Sequence, residues 1–407
     1  MRILLLTHRI PFPPNKGEKI RSYNMLRFLA GRHEVHVGTL VDDVADRAAV
    51  ADVARIGASV LHADIAGRSR ALSALRALAA GRSVAVEHFY SPALQRQLDE
   101  LMDRVDFDAV LCSSSPMAEY VFRSRHSGKL LGRSRTLMDL IDVDSFKWSQ
   151  YASQRFPPMS WLYAYEARRL AAYEERISRT FRRVCVVTEQ EKTLLPPGVV
   201  LERVSAVGNG VDLEYFSPRQ RQADGTAPHH PTLVFTGVMD YWPNVDGVKW
   251  FVESILPRVR EAVPDVRFNI VGSRPAPEVR ELARVPGVKV TGFVPDVRTW
   301  LGEADVCVVP LRIARGIQNK VLEAMAMGKP VVSTAAAFEG IDARSGEDLV
   351  VAADEHAFAT SVIGLLREPA RARRIGEQAR ARVEQRYSWD QNLSQLERLL
   401  EQAGATS

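Results

Sequence analysis

Lys320 and Glu323 stand three residues apart in PLRIARGIQNKVLEAMAMGKPVV (310–332), a stretch that reads as strand end, basic loop, apolar helix and second buried strand. The spacing sets an ammonium and a carboxylate on one face of a helix that starts near Gln318, close to its positive end. Such a lysine, with the helix dipole, can neutralise a diphosphate. Such a carboxylate can accept two hydrogen bonds from ribose hydroxyls. A plain surface ion pair is the competing reading, but it leaves unexplained why a helix of Val321, Leu322, Ala324, Met325, Ala326 and Met327 keeps these two polar groups. The loop before it adds Arg312, Arg315 and Gly316. Glycine also closes apolar runs at Gly237 (FTGVMDYWPN), Gly272 (NIVGSRP) and in TGFVPDV (291–297), places where backbone can approach a ligand. Each is weak alone; four converging strand ends are harder to dismiss.

The first half carries two further candidates. In DLIDVDSFKW (139–148) three carboxylates, Asp139, Asp142 and Asp144, crowd a strand end. Crowded carboxylates repel, so one with a raised pKa could serve as a base. Asp144 before Ser145 also resembles a helix N-cap, and the D-V-D triplet admits a metal reading that chance explains better. In THRIPFPPNKGEKIRSYN (7–24), Gly17 precedes a new helix whose free N–H groups suit a phosphate or a sugar, with Arg9, Lys16, Lys19 and Arg21 around it. A mere connecting loop is the alternative. No G-x-G-x-x-G stands in that loop and no P-loop signature occurs in the chain.

These groups need strands to aim them, and the pattern supplies two sets. Short Val- and Leu-rich runs at 2–7, 34–40, 59–63, 109–113, 135–141 and 184–188 alternate with helical stretches, and a second series follows at 232–237, 266–272, 288–292, 305–310, 330–334 and 348–352. Continuous apolar strands between helices predict two doubly wound α/β domains of Rossmann-like type, which bind ligands beyond the carboxyl ends of their strands. The expected domains are 1–205 and 206–385, with 386–407 a closing helix that packs back on the first. The Gly- and Pro-rich segment 206–230 reads as hinge and surface loop.

Composition narrows the class. The 407 residues are 46% hydrophobic and 25% charged, with no run of the roughly 20 apolar residues that a membrane span needs. Cys112, Cys185 and Cys307 sit in apolar runs and read as reduced core residues of a cytosolic protein. Residues 1–205 carry a net charge of +7 and the remainder −2, which suits an anionic ligand or surface as well as a merely solvated Arg-rich face. The stretch GRSRALSALRALAAGR (67–82) reads first as a core-facing helix and second as an amphipathic helix on anionic lipid. Nothing supports nucleic-acid recognition.

Taken in order, these motifs resemble glycosyltransferase family 4, of the two-domain GT-B fold in which the domains face a cleft. NGVDLEYFSP (209–218) is similar to its hinge motif, and TGFVPDV with LEAMAMGKPVVST (322–334) to its nucleotide-sugar site. RIPFPPNKGEKIRSYN, DVDSFKW and RGIQNKVLEAMA resemble most the sugar transferases of PEP-CTERM/exosortase and exopolysaccharide loci. The resemblance implies a metal-independent, cofactor-free retaining hexosyltransferase acting on a nucleotide-diphosphate sugar and a glycan or polyprenyl-linked acceptor. It would work in the cytoplasm or peripherally at the inner membrane face. Glu323 would hold the donor ribose, backbone near Val294 the base, and Gly17 would pass the diphosphate or sugar.

Three features depart from that family. Arg315 replaces a common glutamate, VMDYWPN replaces the usual Arg and Lys after the first strand of the second domain, and the N-domain histidine is absent where Asp142 stands. Lys320, with Arg312 or Arg315, is then expected to neutralise the phosphates, and an aspartate to act on the acceptor. Closure about 208–218 would exclude water. The rivals are a sugar-nucleotide epimerase of the same fold, a metal-dependent GT-A enzyme built on D-V-D, and a degenerate binding partner in a polysaccharide assembly complex.

Overall fold

A computed structural model describes residues 1–14, 17–218, 230–314 and 316–404. The chain divides into two compact units, Met1–Asn209 with Asn392–Ser407, and Gly210–Gln391.

Seven parallel strands form the sheet of the first unit: β1 (Arg2–Thr7), β2 (Glu34–Val41), β3 (Ser59–Asp64), β4 (Ala109–Ser113), β5 (Arg135–Ile141), β6 (Arg183–Val186) and β7 (Val204–Ala206). Their order is β3-β2-β1-β4-β5-β6-β7. The second unit has six, in the order β10-β9-β8-β11-β12-β13: β8 (Thr232–Thr236), β9 (Arg267–Val271), β10 (Val288–Val290), β11 (Val306–Val309), β12 (Val331–Thr334) and β13 (Val350–Ala352). Twelve of these match the apolar runs to within a few residues. β7 escapes sequence reading, because three residues, Val204, Ser205 and Ala206, at the edge of a sheet are too few to carry a periodic signal.

The windings reverse at β1/β4 in one sheet and at β8/β11 in the other. At such a switch point the connections leave toward opposite faces and open a crevice at the carboxyl ends. Around the sheets lie helices α1 (Gly17–Ala30), α2 (Arg70–Ala79), α3 (Asp144–Ser153), α4 (Met159–Thr180), α5 (Trp242–Trp250), α6 (Asn319–Ala326) and α7 (Trp389–Gln402).

The strands are apolar because they are covered on both faces. Ile3, Leu5, Val110, Leu111, Leu137 and Val184 are fully buried in the first unit, and Leu233, Phe268, Ile270, Val306 and Val332 in the second. Phe251 stacks on Phe268 at 4.6 Å between centroids, where truncation to alanine would cost about 3–5 kcal/mol. Helix α7 straddles the division. Trp389 belongs with the second unit, while Leu393, Leu396, Leu400 and Ala403 are buried, and Gln395 Nε2 and the Ala403 carbonyl bond to Ala206 and Arg182 of the first.

Candidate functional site

In the second unit the loops after β8 and β9 are joined by backbone bonds. Gly237 N–H donates to Val271 O (3.0 Å), Met239 N–H to Ser273 O (2.8 Å) and Ala276 N–H to Met239 O (3.0 Å). A Cβ on Gly272 would lie 1.6 Å from Gly237 O, so only glycine permits this approach. Pro243 is the second residue of α5, and Asn244 follows it in the first turn. The buried amide Nδ2 of Asn244 donates to Val238 O (2.8 Å), which turns its Oδ1 outward as an acceptor.

Lys320, on α6 beyond the neighbouring strand β11, fills that acceptor. Its Nζ donates to Asn244 Oδ1 (2.6 Å) and sits 4.5 Å from the centre of the Phe235 ring. A Cβ on Gly237 would lie 3.1 Å from this ammonium, so bare backbone lies directly beside a cation. Burial pulls the Lys320 ammonium down to about 7, against the pull of Glu323. Burial likewise raises Glu323 to about 7, with Lys320 opposing. No ion pair within 4.0 Å joins them, and among the described residues the Glu323 carboxylate accepts no hydrogen bond. Helix α6 begins without a side-chain cap, since Gln318 Nε2 donates instead to the carbonyl of Gly316, a left-handed residue with φ +60°. An uncapped helix end, a half-buried cation, bared glycine backbone and a carboxylate with free acceptors together receive an anion and a diol.

The other candidates of this unit are placed differently. Both nitrogens of the Arg312 fork face Asp246 of α5, with Nε at 3.0 Å, so its charge is already matched. Arg315 lies outside the described residues. Val294 is half-buried against the core beside the exposed Phe293. One cation without a sequence forecast is present: Arg274, a left-handed residue just after β9, reaches Asp240 at 3.0 Å.

In the first unit the carboxylates separate. Asp139 is fully buried and both its oxygens accept from Arg21 (2.8 Å each), whose guanidinium also holds Gly208 O and Asn209. An aspartate so enclosed cannot meet a substrate, and its assignment as a base is corrected to an architectural ion pair. After it the strand register shifts, Ile141 takes φ +70°, and Ser114 at the end of adjacent β4 takes φ +78°. Such left-handed values cost about 1–3 kcal/mol each in L residues and concentrate where geometry serves function. The turn leaves Asp142 open, with Lys147 at 4.0 Å. Asp144 is the first residue of α3 and not its cap. It accepts from Ser115 Oγ (3.2 Å), and burial, with Asp142 adding, lifts its pKa to about 6. Beneath it Glu174 accepts from Ser145 N–H (3.0 Å) and Oγ (2.5 Å), and burial lifts it to about 8.

The expected basic character of the loop after β1 is also corrected. Arg9 is paired with Glu18 and, at 2.8 Å, with Asp42; the buried Lys19 meets Asp46 at 2.7 Å, and Arg21 belongs to Asp139. Lys16 lies outside the described residues. Gly17 opens α1, and a Cβ there would meet nothing within 4 Å, so packing does not demand glycine.

Sequence reading passed over two residues. Asn244 was legible only as the position after a helix-initiating proline. His8 follows β1 at the switch point and stacks edge-on with Phe89 at 5.3 Å. Burial first, then Arg9, lowers it to about 4, so it stands there as a neutral imidazole. Among the described residues no group of three or more His, Cys, Asp or Glu could hold a metal ion, and no helix is long and apolar enough to cross a membrane.

Residues 230–368, which contain Gly237, Asn244, Lys320 and Glu323, match the family described as glycosyl transferases group 1. An uncharacterized 44.6 kDa protein in the cps region of Klebsiella pneumoniae is 22% identical over 95% of this chain and 96% of its own length. D-inositol 3-phosphate glycosyltransferase 2 of Catenulispora acidiphila is 31% identical over 51% of this chain and 53% of its own. Among solved structures, sucrose-phosphate synthase from Thermosynechococcus elongatus superposes with a TM-score of 0.72 at 17% identity, over the whole of both chains. Anabaena HepE in complex with UDP gives 0.69 at 15% identity, over 99% of this chain and all of the other. The fold is GT-B: two Rossmann-like parallel-sheet domains.

Proposed function

We propose that the chain is a retaining glycosyltransferase that moves a hexose from a nucleoside-diphosphate donor to a glycan or lipid-linked acceptor, without metal or other cofactor. The observation that carries this reading is Lys320: a half-buried ammonium held on Asn244 against the bare backbone of Gly237, at the switch point of the second sheet. A cation in that setting invites an anion. In the reaction the bond from the anomeric carbon to the diphosphate lengthens and negative charge grows on the departing phosphate. Lys320 and the N–H groups opening α6 are the groups proposed to meet it, and donors fixed in advance stabilise such charge with little reorganisation. Glu323 takes the ribose hydroxyls, and backbone near Val294 takes the base. Gly272 lets the Gly237 backbone close up against it, and Gly316 keeps room for the donor.

On the first unit, Asp142 and Asp144 are the groups proposed to orient and deprotonate the acceptor hydroxyl. The elevated pKa of Asp144 brings it nearer to neutral pH, where a general base is most effective. Gly17, exposed at the start of α1, is proposed to pass the sugar or diphosphate. The UDP and UDP-glucose bound by HepE support a nucleotide-sugar donor, and the cps-region relative supports a role in bacterial exopolysaccharide synthesis.

The test is a thermal-shift panel of nucleoside diphosphates, since ligand at a hundred times its Kd adds about 2.7 kcal/mol of stability. Lys320→Ala and Glu323→Ala should abolish the response, and turnover should persist in chelator with retained anomeric configuration. Undiminished binding by both variants would overturn the site, and an epimerised free sugar would replace transfer by epimerisation.

A further inference from the structure

Away from its strand ends the first unit carries an apolar surface that the fold leaves uncovered. Helix α2 turns Ser73 and Ala77 inward, while Leu72, Leu75 and Leu78 are 56, 64 and 44% exposed. That is the reverse of a helix packing its apolar stripe on a core. The turn between α3 and α4 repeats the pattern. Residues 153–159 are all exposed, with Phe156 at 89%, and Trp161 in the first turn of α4 is 70% exposed. Behind this tip Trp148 meets Tyr151 and Tyr163 edge-on at 5.8 and 5.1 Å, which stiffens the helical hairpin.

The two features are neighbours. Tyr165, one turn after Trp161 on α4, donates from its hydroxyl to Arg82 O (3.1 Å) at the end of the α2 segment. The Glu166 carboxylate then accepts from Ser83 Oγ (2.7 Å), Val84 N–H (2.7 Å) and Ala85 N–H (2.9 Å). Their charge is of one sign: residues 65–82 and 145–165 hold six Lys and Arg and no Asp or Glu. Arg70, Arg76, Arg82, Lys147 and Arg155 are exposed.

We propose that this face docks on an anionic phospholipid bilayer. Phe156, Met159, Trp161 and the three leucines enter the boundary between headgroups and acyl chains, and the arginines meet lipid phosphates. A two-fold contact between copies of this chain would set the same basic surface against itself. This inference stands apart from the donor reading, because it involves none of the residues around Lys320.

The test is co-sedimentation of the full chain with vesicles of phosphatidylcholine, alone or with about one third phosphatidylglycerol. Binding should be about tenfold or more stronger on the anionic vesicles and should weaken steeply at about 0.5 M salt. Phe156→Ser with Trp161→Ser, and Leu72→Gln with Leu75→Gln, should each lower partitioning about tenfold. Both pairs replace exposed side chains and should leave the nucleoside-diphosphate thermal shift unchanged. Trp161→Phe should remove the blue shift of tryptophan emission that vesicles induce. Absence of binding to anionic vesicles, equal binding by the variants, or a dimer in solution that these substitutions dissolve would overturn the proposal.

Discussion

Replacing Lys320 with methionine should stabilise the unliganded protein and silence its response to nucleoside diphosphates. Burial draws the ammonium from 10.5 to about 7. At about 1.4 kcal/mol per pKa unit, the desolvated charge costs at most ~5 kcal/mol. The side chain keeps an opening to solvent, which reduces that by about half, to about 2–3 kcal/mol. Losing the bond to Asn244 Oδ1 returns about 1 kcal/mol. The net expectation is a variant about 1–2 kcal/mol more stable near neutral pH. The sign with pH follows from linkage. A lysine whose folded pKa lies below its unfolded value is destabilising in full below about 7, and the cost fades as pH rises toward 10.5. Urea denaturation at about pH 6.5 and about pH 9.5 should therefore show the variant's advantage shrinking at the higher pH. Wild-type affinity for a diphosphate should also fall as pH climbs above about 7, by up to about tenfold per pH unit, because the ligand then has to recruit a proton. A variant less stable than wild type at both pH values, or ahead by the same margin at both, would refute the argument that this cation is held out of water for an anion.

Gly272→Ala should cost at least about 3 kcal/mol and abolish nucleotide binding, since its Cβ would fall 1.6 Å from Gly237 O; urea melts and thermal shift read both. Asp139→Ala should destabilise by about 3–5 kcal/mol by stranding Arg21, and the double change Arg21→Met with Asp139→Leu should recover most of that, as expected for an architectural pair. Glu174, raised to about 8, supports the fold while protonated. Wild-type stability should therefore drain away as pH rises from about 4.5 through 8, and Glu174→Gln should flatten that slope and gain about 1–3 kcal/mol above pH 8 in urea titrations.

The strands were legible because a parallel strand covered on both faces has little choice but valine, isoleucine and leucine, and Ile3–Leu6 or Val306–Val309 look the same in any order. Lys320 and Glu323 were legible as anomalies in an apolar helix. What could not be read was partnership. Asn244 meets Lys320 across 76 residues because β8 lies beside β11, a fact of sheet order that no local window contains. Asp139 looked reactive for the same reason in reverse: the guanidinium that encloses it is 118 residues away. Arg9 and Lys19 counted as positive charge in the sequence, yet their carboxylates wait in the loop after β2. The outward leucines of α2 are the subtlest case. Their spacing is that of a core helix, and only the inward Ser73 and Ala77 show which side the fold chose.

The path of the chain through α7 has a consequence for its birth on the ribosome. The peptide leaves the first unit at Asn209 and re-enters it at Asn392, where the Asn392 amide donates to Asn209 O at 2.8 Å. On the other side of that junction Val211 N–H bonds Tyr387 O at 2.8 Å. The half translated first is thus finished last: Leu393, Leu396 and Leu400 seal it only after the whole intervening unit has emerged and brought its two ends together. A chain broken off after Gln391 would spare the later-made unit and leave the earlier one unsealed.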